Sequence, residues 1–237
     1  MVGTLYFRQL LVGRDFADED PVAAQMLNFA YAVGDRDTGE ALLVDPAYAV
    51  AELVDLLAAD GMRPVGVLAT HHHFDHVGGA IAGHQVEGVA ELLDLVDVPV
   101  HAQRAEVGRI RSATGLDASS VVPHDGGDVV GVGAVEVRLL HTPGHTHGSQ
   151  CFLVDRLLIS GDTLFLDGCG RMDLDDGDPV AMYASLRRLA ELPDDTAVLP
   201  GHRYSPASSS SLAAVRELNV VFKPRTEADW LAAFGAA

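Results

Sequence analysis

Hydrophobic positions along the chain alternate between strand-like and helix-like patterns. The segment 49–61 places Val50, Leu53, Val54 and Leu57 on one helical face and stops at Gly61, which predicts an amphipathic helix. Further strands are predicted at 28–34, 41–45, 64–70, 98–102, 134–140, 150–155, 157–162 and 196–202. Further helices are predicted at 103–115 and 178–192, with one or two more after a loop and cap at 205–211.

Several neighbouring strands lie close enough in sequence to form hairpins, while helices separate others. This mixture favours an α/β (α+β) fold with sheets packed between helices over a purely parallel, doubly wound sheet. The helix at 178–192 has a clear start, with Asp178 as the N-cap and Pro179 as the first helical residue. The sequence contains no internal repeat and no convincing linker, so it predicts a single domain over 1–237.

Histidine and aspartate recur where predicted strands end. The most crowded example is the string THHHFDH, which directly follows a buried apolar segment, and three later strands run into similar residues. Catalytic groups commonly sit in loops that a rigid sheet holds in place. The residues concerned are His71, His73, Asp75, His76, His145, Asp162 and His202.

These residue types indicate a metal site. In an extended loop His71 and His73 point the same way and can share one ion, whereas the adjacent Asp75 and His76 can face a second. The later residues can complete both coordination spheres, with Asp162 as a candidate bridge. Seven ligands without a thiolate favour a catalytic site over a closed structural zinc site. The net positive charge of two such ions would lower the pKa of bound water from 15.7 to about 7.

Composition and charge narrow the range of partners. The 237 residues include 34 Asp and Glu against 16 Lys and Arg, and the resulting net charge of −18 argues against nucleic acid. Two cysteines are too few for a disulfide framework. The N-terminal segment does not resemble a signal peptide, and no apolar run is long enough for a membrane helix. We therefore expect a cytoplasmic protein that acts on a small molecule without membrane attachment, and a homodimer is a candidate assembly.

The strings THHHFDH, TPGHTHGS, SGDTLF, GCGR and LPGH, in this order, resemble the metallo-β-lactamase superfamily. The chain looks most like the glyoxalase II and persulfide dioxygenase branch, and the resemblance runs from about Leu27 to His202. It implies a four-layer αββα sandwich with the metal site at one edge of the sheets. In the hydrolase pattern it also implies Asp75 as the residue that orients the attacking hydroxide and shuttles its proton. The implied ligands are His71, His73 and His145 for the first ion, Asp75, His76 and His202 for the second, and Asp162 between them.

Two reactions are compatible with this resemblance. A glyoxalase II-like enzyme would use two divalent ions, Zn in the first place and Fe or Mn otherwise, to hydrolyse a thioester of a small thiol. A persulfide dioxygenase would bind one Fe(II) through His71, His145 and Asp162. The strings FRQL and GCGR, and the 35 residues after His202, favour the dioxygenase. Two features depart from the dioxygenase pattern, namely the apparent extra sequence at 83–97 and Met172 after GCGR. The hydrolase is therefore the leading interpretation. Lactonase- or lactamase-like hydrolysis is a further alternative.

The resemblance also suggests two contacts to the substrate. Arg171, the basic residue of the GCGR loop, and Tyr204, two positions after the last histidine, would bind a thiol conjugate. Arg171 could instead form an ion pair with Asp173 or Asp175, and Tyr204 could simply pack. Cys169 is interpreted as a small loop residue. His72 should point away from the ligands, His84, His101 and His124 should be structural, and His141 and His147 could orient ligands.

Overall fold

The computed structural model describes residues 4–81 and 83–235. The single domain expected over 1–237, of which 1–3, 82 and 236–237 lie outside the described residues, stays a prediction. The chain forms two compact units, the first made of residues up to His124 with Val129–Val137, the second of Asp125–Asp128 with residues from Arg138 onward.

Strands and short helices alternate along the first unit. Its strands are β1 (Leu5–Leu11), β2 (Phe29–Asp35), β3 (Glu40–Val44), β4 (Arg63–Leu68), β5 (Gly79–Ile81), β6 (His84–Val86), β7 (Val100–Gln103), β8 (Val121–His124) and β9 (Val129–Val132). Its helices are α1 (Pro21–Met26), α2 (Val50–Ala59), α3 (Phe74–Val77), α4 (Val89–Leu95) and α5 (Val107–Thr114), with a 3-10 turn at Ala118–Ser120. The main sheet has the order β1-β2-β3-β4-β7-β8, and β5 and β6 form a separate ribbon.

The sheet of the first unit is built around largely apolar strands. All seven residues of β2 are buried, as expected for a central strand between two neighbours. The predicted helix at 49–61 is confirmed as α2, whose Val50, Leu53 and Leu57 are buried in the core. The apolar face predicted from the sequence is therefore the face that packs.

Parallel pairing brings two strand ends of the first unit to the same edge of the sheet. Strand β3 pairs with β4 in parallel, and Val44 is the partner of Leu68. The residues that follow these two positions are Asp45 and the loop that leads to His71. The sheet register therefore places a buried carboxylate beside the start of the histidine loop.

The glycines after the histidine cluster permit a close approach of two backbone segments. The one-turn α3 ends before Gly78, and β5 starts at Gly79. Gly78 has φ +88°, and a Cβ atom there would lie 2.7 Å from the backbone of Gly88, the residue before α4. The absence of a side chain at Gly78 therefore lets the start of α4 pack closely against the turn that follows α3.

The second unit carries most of the second sheet. Its strands are β10 (Val135–His141, from Arg138 onward), β11 (Gln150–Val154), β12 (Leu157–Gly161), β13 (Ala197–Pro200) and β14 (Ser210–Ser211), in the order β14-β13-β12-β11-β10. Its helices are α6 (Pro179–Leu189), α7 (Leu212–Leu218) and α8 (Glu227–Phe234), with a 3-10 turn at Val220–Phe222. The start of α6 is confirmed, because Asp178 accepts hydrogen bonds from the backbone N–H groups of Val180 and Ala181 and Pro179 follows it.

The elements missed from the sequence are mostly short. Helix α5 begins at Val107 rather than at residue 103, because Gln103 still belongs to β7. The unpredicted elements are the two 3-10 turns together with β1, α1, α3, β5, β6, α4, β8, β9 and β14. Within residues 4–81 and 83–235, none of the helices has the length and apolar character that a membrane crossing requires.

Candidate metal centre

The loop after β4 carries His71 and His73 in the first unit. The backbone N–H and the hydroxyl of Thr70 donate to the carboxylate of Asp45 at 2.8 and 2.6 Å, which fixes the start of the loop. Nε2 of His71 lies 3.0 Å from Nδ1 of His73. Two nitrogens bound to one ion at about 2.1 Å lie about 3 to 3.5 Å apart in tetrahedral geometry. The two side chains therefore fit neighbouring positions on one ion.

Helix α3 presents Asp75 and His76 from its single turn. Both residues are buried, and Nδ1 of His76 lies 2.8 Å from a carboxylate oxygen of Asp45. A carboxylate at this distance favours the tautomer that carries its proton on Nδ1, so Nε2 keeps the lone pair that a metal requires. Nε2 of His76 lies 3.6 Å from Oδ2 of Asp75. These two atoms are suitably placed for a second ion.

Asn28 and Asp45 support these side chains, and both were missed in the sequence. The side-chain amide of Asn28 donates to Oδ2 of Asp75 at 3.1 Å and to its backbone carbonyl at 3.0 Å. Asp45 follows a predicted strand as the later candidates do, so the strand-end signal could have identified it. Asn28 is a single residue before β2 and carries no such signal.

His72 lies between two predicted ligands but contacts a different residue. Its Nδ1 is 2.6 Å from Oε2 of Glu106, the residue that precedes α5. Glu106 is almost completely buried. This contact agrees with the expectation that His72 points away from the ligands, and it ties the histidine loop to α5.

In the second unit Asp162 and His202 follow two strands that run in parallel. Gly161 at the end of β12 is the register partner of Pro200 at the end of β13. The next residues along both strands therefore emerge at one edge of the sheet. Nε2 of His202 lies 3.4 Å from Oδ2 of Asp162.

His145 joins this pair from the loop after β10. Its Nε2 is 3.7 Å from Oδ2 of Asp162, and its Nδ1 donates to the backbone carbonyl of Arg171 at 2.8 Å. With the ring proton on Nδ1, Nε2 keeps the lone pair that a metal requires. The loop with Arg171 can come this close because Gly170 has no side chain: a Cβ there would lie 1.9 Å from the carbonyl oxygen of Asp162 and 2.9 Å from the ring of His145.

The donor set fits a divalent ion. Each of the seven predicted ligands belongs to a group of His and Asp donors that could hold a metal. Imidazole and carboxylate suit Zn, Fe and Mn. Five of the seven side chains are buried, which makes their close approach costly unless a cation or hydrogen bonds compensate. The buried residues are His71, Asp75, His76, His145 and His202.

Arg171 lies at the edge of a pocket of about 450 Å³ in the second unit. Its guanidinium forms two hydrogen bonds with Asp173, at 2.8 and 2.7 Å, as one of the sequence alternatives anticipated. This bidentate contact raises the pKa of Arg171 and lowers that of Asp173. Substrate binding by Arg171 stays a prediction. The pocket is lined by residues 168–173 together with Val221, Ala233 and Phe234.

Tyr204 packs on the last predicted ligand. Its ring stacks on His202, with ring centres 4.8 Å apart and planes 5° from parallel, and meets Phe165 edge-on. The side chain is nevertheless 58% exposed, so it remains accessible to a small molecule. Its role in substrate binding stays a prediction.

Cys169 has the properties of a packing residue. Burial raises the pKa of its thiol to about 12. Because the thiolate is the nucleophilic form, such a thiol is inert near neutral pH. This agrees with the interpretation of Cys169 as a loop residue.

The remaining histidines make contacts of their own. Nδ1 of His101 lies 2.9 Å from Nε2 of His124, the last residue of strand β8. His141 donates to the backbone carbonyl of His147 at 2.9 Å. Orientation of a metal ligand by either of the last two stays a prediction.

Known proteins resemble this chain over most of its length. Residues 26–202 match the family described as the metallo-beta-lactamase superfamily. A protein named hydroxyacylglutathione hydrolase from Rhodopseudomonas palustris is 36% identical over 202 residues, which cover 84% of this chain and 72% of the relative.

Solved structures also resemble this chain in their fold. The structure of ETHE1 from Myxococcus xanthus matches with a TM-score of 0.77 and 27% identity, over 97% of this chain and 90% of that one. The structure of a protein named TTHA1623, in a di-iron-bound form, matches with a TM-score of 0.69 and 29% identity, over 90% and 98% of the two chains. The α/β fold is thus the predicted one, and the chain belongs to the metallo-β-lactamase superfamily.

Proposed function

We propose that this protein is a metal-dependent hydrolase that cleaves thioesters of a small thiol. The observation that carries the proposal is the pair of ligand sets, each with one predicted histidine ligand oriented by a second contact. In the first unit the carboxylate of Asp45 orients His76, and in the second the carbonyl of Arg171 orients His145. Such second contacts are a regular feature of metal-ligating histidines.

The proposed centre uses all seven predicted ligands. Two ions with about four ligands each need more donors than the four residues of the histidine loop and α3, or the three residues later in the chain, could supply alone. The assignment follows the family pattern, and the family match at 26–202 includes all seven residues. His71, His73 and His145 would hold one ion, Asp75, His76 and His202 the other, and Asp162 both.

The reaction requires a nucleophile and a proton acceptor. Divalent ions held by these seven residues would lower the pKa of a water molecule, so that it could attack a thioester carbonyl at neutral pH with cleavage of the carbon–sulfur bond. Asp75 is the proposed acceptor for the proton of the attacking water and would pass it to the departing sulfur. Asn28 donates to Oδ2 of Asp75 and so fixes the orientation of this carboxylate. The products are a carboxylic acid and a thiol.

The substrate would bind beside the loop that carries Arg171. The relative from Rhodopseudomonas palustris is named for a glutathione thioester, whose thiol portion carries carboxylates. A carboxylate could take the place of Asp173 on the guanidinium of Arg171. Tyr204, stacked on His202, would contact the same molecule. A cytoplasmic location is part of the proposal, because small thiols are kept reduced in that compartment.

Oxidation of a thiol persulfide by O₂ is the second candidate function. It would need one Fe(II) held by two histidines and one carboxylate, and His145 and Asp162 already lie with ligand atoms 3.7 Å apart. His71 would complete the set. The GCGR sequence at 168–171 favours this reading as well.

Metal content and oxygen uptake distinguish the two functions. The protein should be purified without oxygen, analysed for metal per chain, and assayed with a panel of acyl-thiols, lactones and β-lactams and with a thiol persulfide. Two ions per chain and hydrolysis of an acyl-thiol without oxygen uptake support the proposal. One iron with rapid oxygen uptake would replace it with the dioxygenase, and hydrolysis confined to lactones or lactams would reject the thioester as substrate.

Substitution of Asp162 tests the ligand assignment. The Asp162→Ala variant should lose metal and lose activity by at least about 100-fold, because the shared carboxylate is removed from both ions. Asp175→Ala, which removes an exposed carboxylate of the second unit, is the matched control and should retain both. Near-normal turnover with full metal in Asp162→Ala would reject the site.

A further inference from the structure

Asn219 uses its whole side chain to hold a distant loop. It lies directly after α7 and is 1% exposed. Its Oδ1 accepts hydrogen bonds from the backbone N–H groups of Gly168 at 2.8 Å and Val221 at 3.1 Å. Its Nδ2 donates to the carbonyls of Phe165 at 3.1 Å and Gly168 at 3.0 Å. A side-chain amide offers two donors and about two acceptor sites, and here both atoms are used twice.

The loop held by Asn219 contacts two predicted ligands, Asp162 and His145. It follows Asp162 along the chain and turns at Gly168, where φ is +85°. Two residues later Gly170 lies against the backbone of Asp162, and Arg171 then offers its carbonyl to Nδ1 of His145. The position of that carbonyl therefore depends on how the turn at Gly168 is fixed.

We propose that Asn219 is a positioning residue for the metal centre and acts on His145 through the turn at Gly168 and the carbonyl of Arg171. The inference rests on the proposed function, since it requires a metal bound by His145. A ring whose Nδ1–H donates to a fixed carbonyl presents Nε2 in one direction, whereas a displaced carbonyl lets the ring rotate. Asn219 lies outside the residues 26–202 that match the family.

This role predicts a loss of metal affinity that a purely structural role would not produce. Changes to residues that orient a ligand typically weaken metal binding 10- to 100-fold. Asn219 acts one contact further away, so we expect about a tenfold loss, at the lower end of that range. A residue that only stabilised the C-terminal segment would lower the melting temperature and leave the affinity of the folded protein unchanged.

The variants Asn219→Asp and Asn219→Ala separate these possibilities. Asn219→Asp keeps the oxygen that accepts from Gly168 but places a second oxygen against two carbonyls, and Asn219→Ala removes all four hydrogen bonds. Ser211→Ala is the matched control, because Ser211 caps the same helix α7 through the N–H of Ala214. Zinc affinity of each folded protein is measured by competition with a chromophoric chelator, and melting temperatures are recorded on the metal-free proteins.

The expected result is a roughly tenfold weaker zinc affinity in both Asn219 variants and a change of less than about twofold in Ser211→Ala. Wild-type affinity in a folded Asn219 variant would overturn the inference while leaving the proposed function intact. A wild-type protein that binds no zinc would instead reject the proposed function, and the inference with it.

A second measurement covers the case in which neither Asn219 variant folds. Coupling between sites is reciprocal, so zinc bound by His145 should stabilise the turn that positions it. Zinc added to the wild-type protein should therefore slow hydrogen exchange of the Gly168 amide, which donates to Asn219. An exchange rate at Gly168 unchanged by saturating zinc would overturn the inference without any substitution.

Discussion

Single side chains outside the predicted ligand set determine what the ligands can do. Asp45 accepts from Thr70 through both carboxylate oxygens and also lies 2.8 Å from Nδ1 of His76. Its backbone has φ +50°, an uncommon value for a residue other than glycine. The structure thus keeps Asp45 in a strained conformation at the point where its carboxylate orients a ligand, a pattern that is frequent at functional sites.

The surroundings of His101 disfavour the protonated, positively charged form of its ring. Burial, with a smaller contribution from neighbouring His124, lowers its pKa to about 4. The unfolded chain binds a proton here near pH 6.5, whereas the folded protein does not until about pH 4. The contribution of His101 to stability should therefore be present above pH 6.5 and lost as the pH falls towards 4. The upper limit of this loss is about 3 kcal/mol.

Urea unfolding of the wild type and of His101→Gln between pH 7.5 and 4.5 measures this effect. The wild type should lose more free energy of unfolding over that range than His101→Gln, which has no proton to bind. His84→Gln, a change at a partly exposed histidine, should follow the wild type. Equal pH dependence in the wild type and in His101→Gln would contradict the assignment.

At the scale of elements, the start of α6 illustrates how a local sequence signal defines a helix. Asp178 accepts from the backbone N–H groups of Val180 at 2.9 Å and Ala181 at 3.0 Å. Asp178→Ala should lower the free energy of unfolding by about 1 kcal/mol, because two N–H groups of the first turn lose their partner. Asp175→Ala removes a nearby exposed carboxylate and should change it by less than about 0.5 kcal/mol. Equal effects in chemical denaturation would show that charge, not capping, is responsible.

Local sequence signals of this kind explain which helices and strands could be predicted. Helices α2 and α6 combine an apolar period with a start or stop signal, and their existence follows from the sequence. In strand β1 buried and less buried residues do not alternate regularly. All seven of its residues pair with β2, which is a tertiary contact. Helix α3 has only four residues, too few for a period to appear. Short elements therefore depend on tertiary contacts that the local sequence does not encode.

The residues of the candidate site also differ in how well the sequence predicts them. The predicted ligands follow strands and have a distinctive residue type, so the sequence alone singles out His71, Asp162 and His202 as candidates. Asn28 and Asn219 act on residues 47 and 51 or more positions away, and a single asparagine has neither period nor neighbours that reveal its partner. Residues that support a site are thus harder to predict than residues that form it.

At the scale of the whole molecule, the proposed ligands come from distant parts of the chain. The histidine loop ends at residue 76, and the later predicted ligands lie between residues 145 and 202. Residues this far apart in sequence would hold an ion together only in the folded state. Binding of this kind contributes to folding stability in proportion to the logarithm of metal concentration over dissociation constant.

Removal of metal should therefore lower the melting temperature of the whole protein. With free zinc at 1,000 times its dissociation constant, the contribution is about 4 kcal/mol, or roughly 10 °C for a chain of this size. Scanning calorimetry with and without a chelator measures the difference, and restored zinc should reverse it. Asp162→Ala, which lacks the shared carboxylate, should show little response to the chelator because it retains little metal. A shift below about 2 °C in the wild type, or an equal shift in both proteins, would contradict a metal centre that is built from the proposed ligands and includes Asp162.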